Sequence, residues 1–339
     1  MKKFGFGILT GFAGTIAGIA GVFFIIYIFA RDRLPAPALT PIVQIDEKLN
    51  FIRNNPQIDP HILAVGSSIT FRHLNGNAFR NVAGGRLHFL NGGVVHLQID
   101  ETEDLTNFYL DNYPHVRTVL MLTGLPDFED CSSQREPMLD PDSARGFSFE
   151  RYPAVFYYLR YFSPQRYVRG IMEFEERRTP FYGDIYIDEF GSGPVKVRKG
   201  TDYGLRYGEI DIDPACVDAL VRFAEDLDQR GKDLAVIFTP IHPEYREQFP
   251  ASVDALTHVI AEVQKRVPDT TFVSDMHKNA GFVSQDFYDA FHLVWAGAQR
   301  LSDIIVVDLE HWHTDNAIAA YNTDDRRQPL QKSRPQSLE

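Results

Sequence analysis

Three runs in this chain, residues 62–65, 116–122 and 234–238, are apolar on both faces. A strand with one face in water alternates apolar and polar side chains. A strand that does not alternate must be covered on both sides. Helical patterns stand between and after these runs. One covers residues 100–113, with Pro114 beyond it, another covers 214–229 before Gly231, and further ones cover 252–266 and 295–309. Weaker strands are expected at 87–90 and 271–273. Strands alternating with helices predict an α/β fold, a three-layer sandwich with a central parallel sheet. Ligand sites in such sheets lie beyond the carboxyl ends of the strands.

The amino-terminal segment carries a second constraint. Residues 4–30 contain no charged side chain. As a helix they would reach about 40 Å, enough to span a bilayer with tilt. A cleaved signal peptide has a shorter apolar core, of roughly 7–15 residues, so residues 1–33 are expected to form one uncleaved transmembrane helix. Lys2 and Lys3 precede the span and Arg31 and Arg33 follow it. The near balance leaves a slight preference for an external globular part. Residues 34–60 are expected to be a linker and lead-in, stiffened near its start by Pro35, Pro37 and Pro41.

Residues 61–309 are then one domain. It carries an insertion at about 128–210 that is rich in aromatic and charged side chains, including Phe156, Tyr157 and Tyr158. Two readings of these aromatics stay open, packing onto the core or a platform for substrate or a membrane surface. Residues 310–339 are expected to be a polar, disordered tail. A net charge of −12 argues against nucleic acid as a partner. Cys131 and Cys216 are the only cysteines. They lack metal-ligand spacing and make no disulfide framework, so whether they pair stays open.

The residues that can carry chemistry begin where the strands end. Gly66-Ser67-Ser68 follows the first strand, and Asp289-Ala290-Phe291-His292 precedes the last helix. A hydroxyl becomes a nucleophile when a neutral imidazole takes its proton, and a carboxylate orients that imidazole. A serine at a helix amino terminus also sits among converging N–H groups suited to an oxyanion. Each motif alone has an ordinary structural reading. Ser68 or Ser67 can simply cap a helix, and Asp289 can cap a turn beside a buried histidine. His242, in Thr239-Pro240-Ile241-His242-Pro243, is a candidate substrate contact or a structural loop histidine. Asp127 is a candidate site wall or a helix cap.

The order Ser…Asp-x-x-His on this α/β pattern resembles the SGNH (GDSL-type) hydrolase superfamily, a flavodoxin-like fold. Gly66-Ser67-Ser68 is similar to its first block, with serine in place of aspartate. That variant resembles the membrane-anchored, DltD-like and alginate-acetylation-like branch. Asn91-Gly92-Gly93 resembles the second block, and His96 stands where a further glycine is usual. Gly124-Leu125-Pro126-Asp127 departs from the third block, because Pro126 replaces the asparagine donor. By this resemblance Ser68 is the nucleophile, with Ser67 its rival by adjacency. His292 is the base and Asp289 its orienter, and the amides of Ser68 and Gly93 form the oxyanion hole. The implied activity is that of a serine esterase or O-acyltransferase of the cell envelope, without metal or organic cofactor. It would act on a glycan or small acyl ester beside an integral-membrane acyltransferase partner. The alternative is a non-catalytic glycan-binding or scaffolding protein.

Overall fold

The computed structural model describes residues 18, 21, 27–29, 33–85, 88–131, 138–181, 185–195 and 204–325, with backbone only at 81–85 and 313–325. Helix α1 (Val43–Asn54) leads into strand β1 (Ile62–Val65), helix α2 (Ser68–His73), β2 (Phe89–Asn91), α3 (Ile99–Asn112) and β3 (Thr118–Thr123). After the insertion come α8 (Pro214–Gln229), β4 (Asp233–Phe238), α9 (Pro243–Gln248), α10 (Pro250–Arg266), β5 (Thr271–Asp275) and α11 (Trp295–Asp325). The five strands form one sheet in the order β2-β1-β3-β4-β5. Every neighbouring pair is parallel, with Leu63 opposite both Leu90 and Val119.

Strands β1 to β4 are buried because both faces of the sheet carry helices, while the edge strand β5 is only partly covered. Helices α3, α8 and α10 pack side by side, and α2 packs against α11. Chain order reverses between β1 and β3, so the loops after these strands diverge and leave a crevice at their carboxyl ends. Ser67 and Ser68 border it from β1, and Gly124 to Asp127 border it from β3.

The insertion holds α4 (Pro141–Ser148), α5 (Ala154–Arg160), α6 (Pro164–Met172) and α7 (Phe174–Arg178). It leaves and rejoins the scaffold at one place. The Asp213 amide donates to Phe128 O at 2.8 Å, and Asp213 Oδ2 accepts the Cys131 amide at 2.9 Å. Cys131 is disulfide-bonded to Cys216, with Cα atoms 5.1 Å apart. Asp213 also caps α8 by accepting the Ala215 amide. Of the insertion's aromatics, Phe147 and Tyr157 enter the main core, while Tyr158 and Tyr167 build a separate small cluster with Leu34.

Two domain expectations need correction. Residues 34–40 are not a free linker, since Leu34, Ala36, Leu39 and Thr40 are buried. The backbone amides of Ala36 and Thr40 donate to Glu47 Oε1 and Asp46 Oδ1, which ties this proline-rich stretch onto α1. Helix α1 itself supplies Ile45, Leu49 and Ile52 to the core. The carboxyl-terminal helix does not stop at Leu309 but continues to Asp325. Its extension is held at Trp312, which stacks on Phe272 with ring centroids 5.6 Å apart. Residues 326–339 lie outside the described residues. So does most of the expected membrane helix at residues 1–33. Among the described residues, no helix is long and apolar enough to cross a membrane.

Candidate active site

Strand β1 ends in Gly66, whose φ of +132° turns the chain sharply into α2. A Cβ there would meet Thr70 Oγ1 at 2.4 Å and Leu122 O at 3.0 Å, so only glycine fits. Ser67 is the helix cap, its Oγ accepting the Ile69 amide at 3.2 Å. Ser67 is buried as well, while Ser68, the first helical residue, faces the crevice. The Ser68 amide is among the helix's orphan donors.

Ser68 Oγ lies 2.8 Å from His292 Nε2. His292 Nδ1 lies 3.0 Å from each oxygen of Asp289. Ser68 and a pair more than two hundred positions later thus form one continuous chain of contacts. Asp289 Oδ1 also accepts the amides of Phe291 and His292 at 3.0 and 2.9 Å. Burial alone would raise the Asp289 carboxyl. The His292 hydrogen bond and charge, with these two amides, outweigh burial and hold it below the usual carboxylate range. An ionised Asp289 directs the His292 proton to Nδ1 and leaves Nε2 free to accept from Ser68.

The loop carrying this pair is tightly tied. Tyr288 N donates to His292 O at 2.6 Å, and Phe287 bridges Leu293. His73, in the last turn of α2, accepts the Leu293 amide on Nε2 at 2.8 Å. Its proton is therefore on Nδ1, which is buried and has no hydrogen-bond partner among the described residues. Burial, then the nearby His292, pushes the His73 pKa well below its ordinary value, so the ring is neutral. One helix thus carries the nucleophile at one end and a brace for the base's loop at the other.

Asp127 lies in the wall of the site and also caps a short 3-10 turn. Its Oδ2 accepts Thr123 Oγ1 at 2.9 Å and the Gly124 amide at 3.1 Å. Burial pushes its carboxyl up to about 6, against hydrogen bonds from Ser67, Thr123 and Gly124 and the charge of His292. His242 caps α9, with Nδ1 accepting the Glu244 amide at 3.1 Å, and its ring packs on Phe287. It braces the Asp289–His292 loop from behind, its own amide donating to Ala290 O at 2.9 Å.

Gly93 is placed beside α2 but is not a free oxyanion donor. Its amide donates to Asn91 Oδ1 at 2.9 Å. Its glycine identity has a packing cause, since a Cβ would stand 2.9 Å from Phe71 N and Thr70 Cγ2. Asn91 Nδ2 in turn donates to Thr70 O and Ser192 Oγ, joining α2, β2 and the insertion. His96 takes a φ of +64°, the left-handed conformation that favours glycine, so the backbone keeps a glycine-type turn with a histidine in it.

The chain's relatives do not narrow the assignment. No protein-family model and no curated protein matches it.

Three contributors were not legible in the sequence. His73 lies four residues after Ile69 on the buried side of α2, which reads as an ordinary core position. Tyr207, on the return path of the insertion, packs its ring 4.8 Å from Phe291 and 6.4 Å from His292. Burial, then the charges of Asp289 and Asp127, raises its phenol, so it stays a neutral hydroxyl. Lys48 is wholly buried on α1, its Nζ donating to Asn91 O at 2.7 Å and to Gly191 O, beneath the Phe71 ring. Only a lysine in an otherwise apolar helix face hinted at it.

Proposed function

We propose that this protein is a serine esterase or O-acyltransferase of SGNH type, held at a membrane by residues 4–30. The observation that carries the reading is the unbroken contact chain from Ser68 Oγ through His292 to Asp289. Ser68 Oγ attacks an acyl carbonyl as its proton passes to His292 Nε2. The developing oxyanion is met by the Ser68 amide at the start of α2. His292 then gives the proton to the departing alkoxide, leaving an acyl group on Ser68. Water or a glycan hydroxyl, deprotonated by His292, attacks that ester. The acyl group leaves with the acceptor, and the proton returns to Ser68. Asp289 stays ionised throughout and stabilises the imidazolium.

The uncharged amino-terminal segment supports action on an envelope glycan or a membrane-attached acyl donor. The Cys131–Cys216 disulfide supports an oxidising compartment and so an external or periplasmic domain. An integral-membrane acyltransferase partner would supply the acyl group.

A second reading has its own observation. With the Gly93 amide directed at Asn91 Oδ1 and Pro126 lacking any N–H, the oxyanion site is poorer than the nucleophile–base pair beside it. That favours a glycan-binding or scaffolding protein with little turnover. p-Nitrophenyl acetate cleavage by the detergent-solubilised full chain separates the two. A rate lost in Ser68→Ala supports the enzyme. Equal rates in both proteins would overturn it, and a fluorophosphonate adduct on Ser67 would overturn the choice of nucleophile alone.

A further inference from the structure

The exposed large apolar side chains of this protein are not scattered. Among the described residues, all but Val283, Ile304 and Val307 lie at positions 28–29 or between 152 and 172. Single exposed apolar residues need no explanation, but a set gathered on two helices that pack through Tyr158 and Tyr167 does. Val168 and Met172, one helical turn apart on α6, are 61% and 80% exposed. With Pro164 they line an open groove of about 660 Å³, with Arg169, Glu173 and Glu176 at its rim. On the neighbouring α5, Phe156 and Leu159 are 63% and 47% exposed while Tyr157 and Tyr158 turn inward.

This face is joined to the end of the amino-terminal apolar segment. Tyr27 packs edge-on against Tyr158 at 5.9 Å between centroids. Tyr158 Oη donates to Pro35 O at 2.6 Å, and Arg177 Nη2 donates to Arg33 O at 2.8 Å. Leu34, Tyr158 and Tyr167 form one buried cluster. Helices α5 and α6 are therefore fastened to the point where 27 uncharged residues end. The charge also differs from the rest of the chain. Residues 151–178 hold six arginines against three glutamates, in a protein whose net charge is −12. Arg160 and Arg169 are mostly exposed, at 65% and 73% of their side chains, with Asp140 and Glu173 as their acid partners.

We propose that the outer face of α5 and α6 lies on the bilayer surface, with Phe156, Leu159, Val168 and Met172 entering the acyl boundary and Arg160 and Arg169 meeting anionic headgroups. Apolar side chains flanked by aromatics and arginines are the composition an interfacial helix uses. The contact goes beyond anchoring, and it rests on the reading of residues 4–30 as membrane-bound. It would hold the catalytic domain in one orientation against the bilayer.

The test uses the full chain reconstituted into vesicles of phosphatidylethanolamine and phosphatidylglycerol. A nitrobenzoxadiazole label is placed on Phe156→Cys, Met172→Cys or Val307→Cys, the last on α11 and outside the patch, with Cys131–Cys216 left oxidised. Doxyl-labelled lipid is expected to quench the labels at 156 and 172 and to leave 307 bright. Equal quenching at all three positions, or none at 156 and 172 in a chain that floats with the vesicles, overturns the surface contact alone. A chain that does not float overturns both the contact and the anchor. Labels shielded from water but not quenched by lipid would mean a protein partner covers this face, and would overturn the proposal as well.

Discussion

His73 and Leu293 join the two halves of the triad: the ring accepts the Leu293 amide at 2.8 Å, one residue beyond the base. His73→Leu leaves that buried amide unpaired. Unfolding free energy should fall by about 1–3 kcal/mol. The neutral ring also sets a pH dependence. Its folded pKa lies well below 6.5, so near that value the unfolded chain binds a proton that the folded one refuses. Stability should therefore fall as pH drops through about 6.5, and His73→Leu should flatten that limb in urea titrations across the same range.

Asp289→Asn should cost about 10⁴ in kcat toward p-nitrophenyl acetate with little change in KM, because an amide can hold His292 in the wrong tautomer. The carboxyl's folded pKa is depressed. Its contribution to stability is present above its unfolded value and is lost as pH falls through the lower folded one. Thermal unfolding of the variant should thus approach wild type in acid and differ most near neutrality.

Lys48→Met tests the buried ammonium under the Asn91 turn. Burial brings its pKa from 10.5 down to about 7. Between those values the unfolded chain carries a proton that the folded chain lacks, so this term makes stability rise with pH across the window. Below about 7 the cost of the buried charge is fully present. Denaturant midpoints measured near pH 7 and about pH 9 should differ by less in the variant than in wild type.

The disulfide closes a segment with a sequence separation of 85. Replacing both Cys131 and Cys216 by alanine should lower unfolding free energy by roughly 2–5 kcal/mol, most of it by freeing the unfolded chain. Calorimetry of the oxidised chain, the reduced chain and the double variant checks this. Reduction should reproduce the variant.

The sheet was readable because its strands could not face water. Residues 62–65, 116–122 and 234–238 contain no register that would expose a polar face, and all three lie in strands at adjacent places in the sheet. Ser68 stood out because it follows such a strand, and Asp289 and His292 because their spacing precedes the last helix, and the three lie within contact of one another. The oxyanion side was less readable. The resemblance of Asn91-Gly92-Gly93 to the second block points to the Gly93 amide, yet that amide goes to Asn91, an Asx-type turn that no spacing rule reveals. The proline-rich stretch at 34–40 misled for a related reason. Prolines stiffen a chain equally in solvent and in a packed interface, and what decides between them here is two carboxylates on α1, Asp46 and Glu47, that accept its amides. Residues 310–325 look polar along the chain, but Trp312 finds Phe272 and the helix goes on.

That same stretch leaves no slack between residue 33 and the α/β domain. A tethered enzyme on a loose leash sweeps a volume set by the length of its leash, and lengthening the leash widens its reach. Here Ala36 is tied to Glu47, and the next residue along α1, Lys48, holds the Asn91 carbonyl beside the nucleophile's helix. A pull or twist on the amino-terminal segment would be delivered to the walls of the site within a few bonds.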